Sequence, residues 1–245
     1  GGVNSWLAMP DYRPPAPLPP AQAHGRIEEA EVAGHRVWIY LPAGYGPQRL
    51  PVQYFHDGED YLKRAGAAGI FDSLIEAKRI EPVIGVFVKP LDRGREYSCD
   101  PKYVHFFVKD LIPWVDSHYS TKTGRDDRGL MGASLGGLIS VHLFYAHPEL
   151  FGRVASQSGA FYSDDHPRRK GTKVFDRAQA SKIHPARFWL SAGRYEWLLE
   201  ENRSFDQRLT EWKVPHTYTE GFHGHTWTFW KETLPEALET LWRQP

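Results

Sequence analysis

Short apolar runs, spaced so that a helical periodicity fits between most of them, restrict what this chain can fold into more than any other feature. Residues 36–41 (RVWIYL) and 52–56 (VQYFH) are rich in β-branched and aromatic side chains and are bounded by Pro, Gly and Asp. Residues 83–88 (VIGVFV), 129–133 (GLMGA) and 188–192 (FWLSA) are almost continuously apolar. Such runs suit strands buried on both faces of a sheet. Between them, apolar residues recur at helical spacing over 71–78, 104–118, 135–146, 198–212 and 231–242. Strands alternating with helices of this length predict βαβ units, and so an α/β fold with a mostly parallel central sheet covered by helices on both faces. Sites in open sheets of this kind lie beyond the carboxyl ends of the strands, which directs attention to the polar residues just after each run.

The chain has 245 residues, 41% of them hydrophobic and 24% charged, enough apolar side chain for one sizeable core and too much for a disordered polymer. Thirty basic side chains balance thirty acidic ones, which argues against a nucleic-acid or membrane-surface partner. No apolar run approaches the ~18 residues of a bilayer span. Cys99, alone, excludes an internal disulfide and a cysteine-rich zinc site. Residues 10–20 (PDYRPPAPLPP) hold six prolines, which predicts an extended arm packed along the domain or a linker; the PxxP spacing would also suit an SH3-like groove. The expected organisation is therefore a proline-rich arm over 1–26 and a single catalytic domain over 27–245. No basic start followed by an apolar core marks a signal peptide, so the cytoplasm is the expected location, with secretion or the periplasm the alternative for a chain whose leader has been removed.

The run GLM leads into Gly132-Ala133-Ser134-Leu135-Gly136-Gly137 and then the amphipathic LISVHLFYAH. This is G-x-S-x-G with a strand before it and a helix after it, the context in which a serine hydroxyl projects from a sharp turn above the sheet. Flanking glycines are needed there because a Cβ would meet the closely approaching strand or helix. Ser134 is thus the candidate nucleophile; the alternative is a helix N-cap serine. A serine needs a base, and the base needs an orienting carboxylate. In strand–turn–helix serine hydrolases the chain order is serine, acid, histidine. Of the histidines that follow Ser134, His147 ends the serine's own helix, His166 and His184 precede prolines, and His216 lies in an alternating, strand-like run. Only Gly221-Phe222-His223-Gly224-His225-Thr226-Trp227 offers histidines in a glycine-rich loop before the last helix. His225, at the mouth of that helix, is the expected base, with His223 as the alternative. Glu196 is the first carboxylate after FWLSAG and the expected acid; a helix N-terminal carboxylate is its alternative reading, the one that suits Glu200 and Glu201.

The N–H of Leu135 and, from the turn after VQYFH, the N–H of Glu59 are the expected oxyanion donors, with Gly58 allowing close approach. An ordinary Asp-Gly turn is the alternative there. Arg93 and Arg95 follow another strand end and could receive an anionic substrate or form structural ion pairs. Trp227, with Trp197 and Trp230, could wall the cleft or pack the terminal helix. The polar insertion 161–185 is the expected lid. The His-x-His pair has no cysteine near it and no HExxH helix, so neither metal nor cofactor is expected.

The blocks YLPAGYG, YFHDGEDY, RGREY, LIPWVDSHY, GASLGGLIS, HPELFGRVASQSGAF, SAGRYEWLLEENR and GFHGHTWTFWKETLP resemble the putative-esterase family of α/β-hydrolases, over residues 27–242. RGREY, GASLGG, SQSGAF and GRYEWLLEENR are most similar to its enterochelin (enterobactin) esterase branch. That resemblance implies an α/β-hydrolase fold with Ser134 as nucleophile, His225 as base and Glu196 at the position of the acid. The proline-rich arm stands where that branch carries an N-terminal β-sandwich domain, so a stand-alone form is expected. The function expected is a serine carboxylic-ester hydrolase acting on a small-molecule ester, first an enterochelin-type lactone. A feruloyl or acetylxylan-type carbohydrate ester is the alternative, as is acyl transfer by the same triad. A non-catalytic binding module of this fold is the rival from another class. Nucleic acid and membrane are not expected partners.

Overall fold

The computed structural model describes residues 12, 13, 15–161 and 186–243. The strands β1 (Arg26–Val32), β2 (His35–Leu41), β3 (Val52–His56), β4 (Ile84–Val88), β5 (Arg128–Ala133), β6 (Arg153–Gln157), β7 (Arg187–Gly193) and β8 (Thr217–Gly221) form one sheet. Their order across it is β1-β2-β4-β3-β5-β6-β7-β8. β1 with β2 and β2 with β4 are antiparallel, and every other neighbouring pair is parallel. The expected mostly parallel sheet is what the chain forms.

Alternate side chains along each central strand point to opposite faces, and both faces are filled. Tyr54, Val86, Leu130, Val154 and Leu190 enter one core with side chains of α4 (Pro101–His105), α5 (Ile112–His118), α6 (Leu135–Ala146) and α7 (Leu199–Glu211). Phe55, Phe87, Met131, Ala155 and Trp189 enter the other, with α2 (Ala67–Glu76) and α8 (Trp227–Trp242). Each large side chain so buried contributes about 2 kcal/mol. Burial on both sides is the physical reason the strands read as unbroken apolar runs.

Three stretches depart from the sequence reading. β1 was not among the expected strands: it is an edge strand with alternating charges (RIEEAEV), covered on one face only. The helix expected over 104–118 is interrupted by a π-helical stretch, Phe106–Leu111, between α4 and α5. Pro113 has no N–H to give back to the preceding turn, and the ladder widens ahead of it. The last helix begins at Trp227 rather than at 231, with Thr226 extended at its N-cap and Trp230 N–H bonded to Thr226 O at 3.2 Å. TWTFW is a poor helix former by propensity, and packing of its aromatic rings overrides that.

The described part of the arm packs along the domain. Prolines have no N–H to satisfy, so few partners are needed. Gln22 and Ala23 donate their N–H groups to Glu76 Oε2 at 2.8 and 3.1 Å, and Gly25 donates to Asp72 Oδ1 at 2.8 Å. Among the described residues, no helix is long and apolar enough to cross a membrane. The lid expected over 161–185, and with it His166 and His184, lies outside the described residues from 162 onward.

Candidate active site

Ser134 sits in the turn from β5 to α6 with φ 59° and ψ −120°, a conformation that non-glycine residues rarely adopt. It occupies the N-cap position, yet its side chain does not cap the helix. The turn is held by its backbone instead. Ser134 N–H donates to Gln157 O at 2.9 Å, and Ser134 O accepts from Ala160 N–H at 3.0 Å and Leu138 N–H at 3.1 Å. A Cβ on Gly132 would overlap the backbone of Gly136, and one on Gly137 would overlap Ser156 Oγ. The glycines are there for space, as the motif required.

The loops after β7 and β8 continue the pairing of their strands. Arg194 N–H donates to Gly221 O at 2.8 Å and Tyr195 N–H to His223 O at 3.0 Å. This zipper brings Glu196 to His225: Nδ1 lies 3.0 Å from Glu196 Oε2. The Glu196 side chain is fully buried, and among the described residues its Oε1 has no hydrogen-bond partner. A carboxylate can only accept, so Nδ1–H is the donor in this contact. The imidazole meets two indoles, Trp230 at right angles with centroids 4.9 Å apart and Trp197 at 4.6 Å. His223 is engaged elsewhere, 2.9 Å from Glu232 through Nε2 and stacked on Phe229, with Tyr12 of the arm edge-on to it and bonded to the same Glu232. Of the two loop histidines, His225 is the one that faces the buried acid.

Ser134 and the Glu196–His225 pair share the carboxyl edge of the sheet, at the ends of β5, β7 and β8. No hydrogen bond joins Ser134 Oγ to His225 among the described residues. Gln157 links the serine turn to the last helix: its O accepts from Ser134 N–H, and its Nε2 donates to Trp230 O at 2.7 Å.

The turn after β3 starts at Asp57, in the left-handed region with φ 58°, and opens the short helix α1 (Gly58–Asp60). A Cβ on Gly58 would overlap the backbone of Phe87 and Val88 on β4. As first-turn groups, Glu59 N–H in α1 and Leu135 N–H in α6 have no intrahelical acceptor. The Glu59 carboxylate points outward to Lys63 at 2.6 Å and Lys89 at 2.8 Å, bonds that hold its pKa down at about 2. Arg93, on α3 (Arg93–Glu96), grips Asp57 with two bonds and reaches Ala133 O at 3.3 Å. Burial raises the Asp57 carboxyl above its ordinary value, and Arg93 opposes that rise. Arg95 is exposed and lies 3.5 Å from Asp100. Both arginines expected at the substrate are thus engaged in ion pairs, Arg93 at the root of the turn itself. The spacing of 36 residues between Asp57 and Arg93 left no local signal for this pairing, and the same is true of Gln157 and Trp230. Trp227 stands perpendicular to Tyr61 and Trp230 and lines a cavity of about 420 Å³ with Arg64, Thr228, Lys231 and Glu232.

Comparison with known proteins gives the family and the fold. The model of the Putative esterase family matches residues 34–241. The chain is 24% identical over 236 residues to the iron(III) enterobactin esterase of Escherichia coli K12, a match that covers 94% of this chain and 59% of that protein. The chain therefore spans about three fifths of that relative's length. Among solved structures, the enterobactin esterase of Shigella flexneri, in the presence of 2,3-di-hydroxy-N-benzoyl-glycine, superposes with a TM-score of 0.80 at 23% identity, over 96% of this chain and 64% of that one. A ferulic acid esterase superposes with a TM-score of 0.79 at 16% identity, over 90% of this chain and 98% of that one. These structural likenesses establish a shared α/β-hydrolase fold.

Proposed function

The chain belongs to the Putative esterase family, and from that premise we propose that it hydrolyses carboxylic esters through Ser134, His225 and Glu196. The observation that carries this reading is the 3.0 Å contact between His225 Nδ1 and the buried Glu196, at the same sheet edge as a strained serine turn.

His225 Nε2 takes the hydroxyl proton as Ser134 Oγ bonds to the ester carbonyl carbon. The carbonyl oxygen, now negative, receives the N–H groups of Leu135 and Glu59. As the tetrahedral centre collapses, the C–O bond to the alcohol breaks and His225 returns its proton to the leaving oxygen. Water then attacks the acyl-serine, His225 accepting its proton and passing it to Ser134, and the free acid departs. Glu196 holds the imidazole with Nδ1 protonated and stabilises the imidazolium. Arg93 acts one step back, by fixing Asp57 and hence the turn that carries Glu59.

An enterochelin-type ester is the first substrate reading. Its support is the likeness to enterobactin esterases and the aromatic neighbours of His225, the exposed Trp197 and the buried Trp230. A feruloyl ester is the second reading, supported by the ferulic acid esterase whose chain this one covers almost completely. Hydrolysis of an iron-loaded catecholate trilactone against a feruloyl-sugar ester by the purified chain separates the two. The catalytic assignment itself is tested by fluorophosphonate labelling and by hydrolysis of a small chromogenic ester. Both are expected to vanish in Ser134→Ala and in His225→Ala, and full activity in Ser134→Ala refutes the assignment.

A further inference from the structure

One segment brackets the serine and grips the indole beside the histidine. Residues 157–160 run from the last residue of β6 into the loop after it, and their backbone holds Ser134 from both sides, through Gln157 O at 2.9 Å and Ala160 N–H at 3.0 Å. Their side chains reach the other way. Gln157 Nε2 donates to Trp230 O at 2.7 Å, and Ser158 Oγ accepts from Trp230 Nε1–H at 2.9 Å. Gln157 is itself fixed by Tyr61, whose hydroxyl donates to Oε1 at 2.6 Å, and by Thr233 at 2.7 Å. Ser158 is completely buried and has φ 50°, a left-handed conformation that a serine adopts at a cost. Its N–H is bonded to Ser191 O at 2.7 Å. The indole is 6% exposed and meets the His225 ring at 88°.

We propose that Trp230, anchored by Ser158 and Gln157, is a positioning residue that sets the approach of the His225 imidazole to Ser134. Glu196 restrains His225 at Nδ1 only and leaves the ring free to swing about that bond. The perpendicular indole blocks one direction of swing. Because the indole hangs from the same segment that holds Ser134, its position is referenced to the nucleophile rather than to the histidine's own loop. The left-handed turn at Ser158 is what directs Oγ toward the indole N–H while its backbone stays paired to β7. This inference rests on the Ser134–His225 reading.

The test compares wild type, Trp230→Phe, Ser158→Ala and the double variant. Steady-state hydrolysis of a chromogenic acetate ester and the rate of fluorophosphonate labelling are measured well below each unfolding midpoint. Trp230→Phe keeps a ring beside His225 but removes the anchoring N–H; Ser158→Ala removes only the acceptor. Each is expected to lower kcat and the labelling rate about tenfold with KM nearly unchanged, as small misplacements of reacting groups do. The double variant is expected to lose no more than Trp230→Phe alone, because both changes remove one bond. Wild-type kcat and labelling in Ser158→Ala, or losses that multiply in the double variant, overturn the proposal while leaving the esterase reading intact. A wild-type chain that neither labels nor hydrolyses overturns both.

Discussion

Asp57 and Arg93, 36 residues apart, form a two-pronged ion pair at the root of the turn that carries Glu59: Nε meets Oδ1 at 2.8 Å and Nη2 meets Oδ2 at 2.7 Å. Asp57 also donates its own N–H to Tyr97 Oη at 2.8 Å, so two side chains from the chain after β4 hold a turn that begins after β3. The pair connects packing to chemistry, because Arg93 also touches the carbonyl of Ala133, next to Ser134.

Removing the cation by Arg93→Met leaves a buried carboxylate without its partner. The expected loss is about 2 kcal/mol, below that of a fully buried pair because the Arg93 side chain is 41% exposed. Burial already raises the Asp57 carboxyl, and losing Arg93 raises it further. A raised carboxyl pKa favours the folded state below the ordinary aspartate range and loses that contribution as pH rises. Arg93→Met is therefore expected to be more destabilised at pH 8 than at pH 4.5, read from urea midpoints. Equal losses at both pH values would contradict the burial argument.

Glu196→Gln and His223→Gln separate the two loop histidines. The first leaves the imidazole without its carboxylate and is expected to lower kcat by about 10²–10⁴. The second removes one of the two partners of Glu232, which has no bond to the proposed triad, and is expected to cost about 1–2 kcal/mol of stability while keeping kcat within about fivefold. Ester hydrolysis and thermal unfolding of both variants decide between them. A larger kcat loss in His223→Gln than in Glu196→Gln would reverse the assignment.

His56 is fully buried, 2.9 Å from Ser140 Oγ and stacked on Phe107. Burial, with the Arg93 cation nearby, pushes its pKa from 6.5 to about 3. The unfolded chain takes up this proton below about pH 6.5 and the folded chain does not, so stability falls as pH drops from there toward 3. The full effect is roughly 3–5 kcal/mol. His56→Phe is expected to be less stable at neutral pH and to show a shallower decline on acidification. Unfolding free energy measured against pH gives the comparison, and identical slopes would rule out His56 as the source.

Two glycines respond in opposite directions. Gly132→Ala places a methyl inside the Gly136 backbone and is expected to lose 3 kcal/mol or more, about the upper range for overpacking. Gly69, within α2, has open space beside it, and Gly69→Ala is expected to gain about 0.5–1 kcal/mol. Melting temperatures measure both.

The parts of this molecule that could be read from the chain are those carried by neighbours in sequence. The two-sided burial of β4, β5 and β7 leaves almost continuous apolar runs, and the turn at Ser134 demands glycines within three residues of it. Glu196 was accessible as the first carboxylate past a strand end, and His225 as a histidine in the last glycine-rich loop. β1 was missed because an edge strand covered on one face alternates charged and apolar residues over few positions. The early start of the last helix was missed because TWTFW has poor helical propensity and is held by rings from other elements. The partners of Arg93 and Trp230 could not be read locally, since Asp57 and Ser158 lie 36 and 72 residues away.

The amino-acid order by itself determined a doubly covered, mostly parallel sheet and the residue types presented at its carboxyl edge, because strand and helix periods are local consequences of backbone geometry. Only the folded chain decided which of two histidines faces the buried acid, that Arg93 is bound to Asp57, and that Trp230 stands between the serine's segment and the imidazole. Those choices depend on the register of β7 against β8 and on how the last helix docks on the sheet. They are settled by packing between residues far apart in sequence, where no local pattern carries the information.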